Sequence, residues 1–248
     1  MVRKRLIVVL TMNNGVLFRT RNFIPDYRYT LNFVDAWSID EIILLDITRE
    51  GEGTRQNFFD VVSLFAKNCF VPLTIGGGVR SIDDFKILLA IGADKIAINT
   101  QAILNPTFIT EAAKLFGSQC VVVSVDTKRN ERDSYEVFSN FGTRQTGLMA
   151  QKWAKMVQEY GAGEILIQSI ERDGTLQGYD NRLNRMVSDA VDIPVLVCSG
   201  AGNWKNFLDG FKQGGASGVC TTNIYHFTES SIKSAKQYLI KAGIDMRN

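Results

Sequence analysis

Histidine is almost missing from this chain, and its scarcity excludes a common chemistry. The single His226 cannot build a zinc site alone. Cysteine is scarce too: Cys69, Cys120, Cys198 and Cys220 are scattered, with no C-x-x-C pair and no metal spacing. They are expected to be buried free thiols in a reducing compartment. No charge of one sign dominates, since the formal net charge is +2, so bulk attraction to nucleic acid or membrane is not expected. No apolar run is long enough to span a bilayer. The first residues lead straight into a strand with no leader segment, and a cytoplasmic location is the expectation. What remains is an ordinary globular chain of 248 residues, 45% hydrophobic and 22% charged. That length suits one barrel domain or two smaller ones.

The chain is organised around residues 71–100. A short apolar run, Val71-Pro72-Leu73-Thr74-Ile75, reads as a buried strand and is followed by Gly76, Gly77 and Gly78. Ile82, Phe85, Leu88 and Leu89 then recur at helical spacing until Gly92, and residues 94–98 form a second strand ending in Asn99-Thr100. This is a strand–helix–strand unit with small residues at the strand exit. Glycines there let backbone N–H groups approach an anion. The plainer reading is a tight turn that needs glycine for its backbone angles.

The unit recurs at 193–222. Pro194 matches Pro72, Ser199-Gly200-Ala201-Gly202 matches the glycine turn, and residues 207–211 match the helix. Upstream, Arg49-Glu50-Gly51 and Arg172-Asp173-Gly174 each follow an apolar run. Similarity at half the chain length implies two related halves, about 1–120 and 121–248. Strands are expected at 6–10, 41–47, 71–75, 94–98, 119–126, 164–169, 195–198 and 218–221. Helices are expected at 32–37, 57–67, 82–91, 107–116, 147–161, 184–190, 207–211 and 230–242, with irregular chain at 11–20 and 23–29 and a hairpin at 135–141. Alternating strands and helices predict a parallel sheet. Eight such units with two-fold similarity predict one (β/α)₈ TIM barrel over residues 1–248, with its site at the C-terminal ends of the strands.

Two small-residue exits are the candidate phosphate sites, suited to a ligand with a phosphate at each end: Gly76, Gly77, Gly78, Asn99 and Thr100 on one side, and Asp173, Gly174, Gly200, Thr222 and Asn223 on the other. Asp126 ends the fifth strand and is a candidate acid or base. Aligning the halves puts Thr11 at the equivalent place, and a threonine hydroxyl does not ionise near neutral pH. At the opposite end Arg5, Glu41, Lys95 and Glu164 stand at four strand starts, as a salt-bridge ring serving the scaffold or as a gate.

Together, the pieces I-G-G-G-V-R, G-A-D-K-I-A-I-N-T, S-V-D-T-K-R, S-I-E-R-D-G-T-L-Q-G-Y-D and I-Y-H-F resemble the cyclase subunit of imidazole glycerol phosphate synthase over nearly the whole chain. The resemblance implies a barrel that receives ammonia from a glutaminase partner and uses it at the mouth. It gives Asp126 the role of one of two catalytic aspartates, Arg5, Glu41, Lys95 and Glu164 that of the ammonia gate, and Asp94 and Gln119 a place facing the glutaminase. No cofactor and no metal are expected. The sequence also departs from the family. Thr11 stands for the other aspartate, Arg19 stands near a lysine of the first loop, whose G-D-P element is absent, Ser199 replaces a glycine, and Asn223 a serine. The pattern resembles diverged paralogues tied to amidation of surface-polysaccharide sugars, which pass ammonia to a separate amidotransferase. The alternatives are an active cyclase and lyase of histidine biosynthesis and a single-chain sugar-phosphate isomerase.

Overall fold

The computed structural model describes residues 3–28, 39–222 and 232–246. Its strands, in chain order, are β1 (Arg5–Asn13), β2 (Val16–Arg21), β3 (Ile24–Arg28), β4 (Glu41–Asp46), β5 (Leu73–Gly76) and β6 (Lys95–Ile98). They continue with β7 (Val121–Arg129), β8 (Tyr135–Ser139), β9 (Arg144–Met149), β10 (Glu164–Ser169), β11 (Val195–Cys198) and β12 (Gly218–Thr221). Eight of them pair in parallel in the order β1-β4-β5-β6-β7-β10-β11-β12, and β12 pairs back to β1. The closed cylinder leaves none of the eight with a free edge. The helices are α1 (Arg55–Asn68), α2 (Ile82–Ile91), α3 (Thr100–Leu104), α4 (Thr107–Phe116), α5 (Ala150–Glu159), α6 (Asn181–Ser188), α7 (Trp204–Lys212) and α8 (Ile232–Lys241). They cover the outside, as the expected (β/α)₈ barrel requires.

Burial on both faces explains why the barrel strands read as unbroken apolar runs. Inward residues form one cluster, including Ile7, Val9, Ile43, Ala97, Val122, Leu166 and Leu196. Outward residues pack under the helices in a second, larger core. Phe85 of α2 stacks on Phe116 of α4 with ring centroids 4.9 Å apart. Burying a side chain of that size contributes about 2–3 kcal/mol. Capping fixes where helices begin. The Ser81 hydroxyl accepts from Asp84 N–H at 3.1 Å while the Asp84 carboxylate accepts from Ser81 N–H at 2.9 Å. Asn203 and Asn206 repeat this reciprocal box at α7.

Several expectations need correction. Residues 11–20 and 23–28 are not irregular, residue 29 lying outside the described residues: β1 runs on to Asn13 and pairs with β2, which pairs with β3, both antiparallel. Short, polar strands gave too weak an alternation to see. Residues 144–149 are β9, so α5 begins at Ala150 and not at 147, and α6 begins at Asn181, capped by Asp180, whose carboxylate accepts from Leu183 N–H at 3.1 Å. α3 was not anticipated, and β7 starts at Val121 because residues 118–120 form a 3₁₀ turn. Cys198 and Cys220 are buried, but Cys69 and Cys120 are only half-buried. The helix expected at 32–37, the start of the last helix, Asn223 and His226 lie outside the described residues. No helix among the described residues is long and apolar enough to cross a membrane.

Candidate ligand site at the barrel mouth

At the C-terminal ends of the strands lies a cavity of about 290 Å³. Its floor is apolar, with Val9, Leu45 and Ala97, and its polar wall includes Thr11, Ser124, Asp126, Gln168 and Asp173. Asp126 points inward two residues beyond Ser124, as strand alternation dictates. Its Oδ1 accepts from Ser124 Oγ at 2.8 Å and from Gln168 Nε2 at 3.1 Å. Gln168 lies opposite Asp126 in the β7–β10 register. Burial lifts the Asp126 carboxyl to about 6, the Ser124 and Gln168 hydrogen bonds resist that rise, and nearby Asp173 adds to it.

Asp173 is the second buried acid of the mouth. Burial raises its pKa, against hydrogen bonds from Phe23 N–H and the Thr20 hydroxyl. The Phe23 bond measures 3.0 Å, so the carboxylate is turned to the β2–β3 hairpin. Thr11 lines the same cavity as Asp126. It pairs with Phe18 of β2 while Asp126 pairs with Phe138 of β8, so the two occupy corresponding places in their hairpins. The Thr11 hydroxyl donates to the Phe18 carbonyl, and its proton is therefore engaged by the backbone.

The β2–β3 turn and the β8–β9 turn approach each other. Phe23 and Phe141 both hold positive φ, 64° and 58°, and both line the cavity. A Cβ on Gly142 would lie 3.2 Å from the Phe23 ring.

Gly77 and Gly78 line the cavity with φ of 97° and 63°. A Cβ on Gly77 would sit 2.1 Å from the Asp46 carbonyl oxygen, so only glycine fits there. The Arg55 guanidinium bonds the Gly78 carbonyl at 2.8 Å and Asp84 at 2.9 Å, holding the turn from outside. Gly76 departs from expectation: it ends β5, is buried against Ala97 and Leu45, and is absent from the cavity wall. Asn99 and Thr100 reach the wall, but their side chains also bond the Ser124 carbonyl at 3.0 Å and Asn140 N–H at 3.0 Å. Across the mouth, Asp173, Gly174, Gly200 and Thr222 line a smaller adjoining pocket.

At the floor the four expected charges meet in a closed ring. Arg5 lies 2.8 Å from Glu41 and 2.8 Å from Glu164, and Lys95 lies 3.0 Å and 2.9 Å from the same two carboxylates. Thr74 Oγ1 donates to Glu41 at 2.8 Å. Burial opposes the Arg5 charge, but Glu164 and Glu41 outweigh it and raise its pKa. Asp94 and Gln119 are exposed in the links entering β6 and β7 on this floor side, and Asp94 accepts from Leu73 N–H at 2.8 Å.

Sequence reasoning missed Ser124, Gln168, Thr20, Phe23 and Arg55. Alternation from Asp126 would have found Ser124; Gln168 needs the strand register, and the others need the hairpin and the packing of α1. Among the described residues no three His, Cys, Asp or Glu side chains gather to hold a metal.

Fold and site define a closed (β/α)₈ barrel with buried carboxyls in its mouth, glycine turns beside them, and an ion-paired floor. Residues 7–231 match the family of histidine biosynthesis proteins, and the chain belongs to that family.

Proposed function

We propose that this barrel takes ammonia from a glutaminase docked on its floor and delivers it to a phosphorylated ligand at its mouth, with the two strand exits as phosphate sites. The ion-paired ring of Arg5, Glu41, Lys95 and Glu164 carries this reading. A sugar-phosphate isomerase working alone has no use for four interior charges at the far end from its substrate. The ring is closed, and packed apolar side chains lie above it. Passage therefore requires a swing of the flexible Lys95 stem and transient gaps that suit a small neutral molecule. We further infer that the chain has diverged toward supplying ammonia for sugar amidation, because Thr11 offers no titratable group and its hydroxyl is held by Phe18. We read the paired hairpins on β1 and β7 as support for two fused halves meeting near residue 120.

Assay of the purified chain with ammonium salt and the ribulosyl substrate of the synthase tests this. The expected result is negligible ring formation. Robust turnover would instead support an active cyclase and lyase of histidine biosynthesis, which one observation favours: Asp126 and Asp173 still place two buried carboxyls in one cavity.

A further inference from the structure

Two hydroxyls at the second strand exit are idle. Ser199 follows β11 and Thr221 ends β12; the residues are 6% and 3% exposed, and neither side-chain oxygen has a hydrogen-bond partner. Buried hydroxyls nearly always find one. Ser199 is also held at φ 75°, a left-handed conformation that glycine adopts freely and serine does not. A serine here carries backbone strain and an unsatisfied hydroxyl together, and glycine would remove both. Such strain persists where the site makes use of it.

Both side chains line the same small pocket, beside Gly174, Gly200 and Thr222. It offers about 20 Å³, room for one oxygen-sized group. Asp173 also borders it, but its carboxylate is engaged by Phe23 N–H and the Thr20 hydroxyl on the hairpin side. Loops after the seventh and eighth barrel strands are a frequent phosphate position in this architecture.

We infer that Ser199 and Thr221 are donors to one non-bridging oxygen of a phosphoryl group held at this exit. That oxygen enters the slot between the two hydroxyls, and the rest of the group stays at the rim over the glycine turns. The inference rests on the reading of this exit as a phosphate site and adds two ligands to it. The arrangement suits a phosphoryl group better than a carboxylate, since with one oxygen in the slot the former has two non-bridging oxygens left for the rim and the latter one.

The test is titration of the full chain with inorganic phosphate, followed by the backbone amide NMR signals of Gly200 and Gly78, in the wild type, Ser199→Gly and Thr221→Val. Both substitutions suit the fold, the first by relieving strain and the second by keeping shape. The Gly200 response is expected to need on the order of tenfold more phosphate in each variant, with the Gly78 response unmoved. Ser199→Gly is expected also to raise the melting temperature, which a hydroxyl of purely structural value would not allow. An unchanged Gly200 titration in both variants would mean the slot holds water only and would overturn the inference while leaving the phosphate site in place. No Gly200 response in the wild type would remove the phosphate site itself.

Discussion

Asp126 keeps its proton to about pH 6 because burial opposes its charge more strongly than Ser124 and Gln168 support it. The folded state therefore binds that proton more tightly than the unfolded chain, whose carboxyl titrates near 3.8. Its contribution to stability is whole below pH 4 and is lost as the pH rises through 6, by about 3 kcal/mol at pH 8. Asp126→Asn is expected to be more stable than the wild type by up to that amount at pH 8 and equal to it at pH 4, read from urea midpoints at the two values. Thr11 is constrained differently. Its hydroxyl donates to the Phe18 carbonyl, and a carboxylate there has nothing to donate. Thr11→Asp is expected to lose roughly 1–3 kcal/mol at pH 7, with most of the loss recovered at acid pH, where the new carboxyl is protonated. Equal loss at both pH values would show that the Phe18 bond is not the cause.

The hairpin formed by β2 and β3 is the element that ties β1 to the turn after β10 across the mouth. Asn22 N–H bonds the Asp173 carbonyl at 3.2 Å and Phe23 N–H bonds the Asp173 carboxylate. Gly174 has φ 71°, and a Cβ there would lie 2.5 Å from the Thr20 carbonyl oxygen. Gly174→Ala should therefore lift the hairpin, with a stability loss of about 1 kcal/mol or more and new protease cleavage within residues 16–28. Cleavage no faster than in the wild type would count against this latch. The same hairpin marks where the sequence stopped being legible. Barrel strands such as β10 and β12 could be read to the residue, because burial on both faces leaves an unmistakable apolar run. β2 and β9 are partly exposed, alternate weakly and each contain Arg and Thr, so pattern alone reads residues 16–20 as irregular chain and residues 147–149 as the start of a helix. The site followed suit. The glycine turn at Gly77 and Gly78 stands at a strand exit and was visible, and so was Asp126, although β7 runs on past it to Arg129 and does not end there; Gln168 joins Asp126 only through the β7–β10 register and Arg55 only through the packing of α1.

Across the whole molecule the barrel separates two kinds of charge: buried acids at the mouth and a neutralised ring at the floor. Lys95 bridges two carboxylates of the ring, so Lys95→Met leaves Glu41 and Glu164 with Arg5 as the one cation of the ring. A loss of roughly 3 kcal/mol is expected, measured by thermal unfolding. Around the ring the floor side presents Asp94 and Gln119 together with Phe70, which is 76% exposed in the link from α1 to β5. Large exposed aromatics are the anchors that protein interfaces favour. Docking of a glutaminase on the barrel floor is measured most directly by calorimetric titration of the purified chain with a glutaminase subunit of the histidine-biosynthesis type. One glutaminase is expected to bind per chain, with binding lost in Phe70→Asp and kept in Asp126→Asn. No binding to the wild type, or binding lost in Asp126→Asn and kept in Phe70→Asp, would contradict that docking.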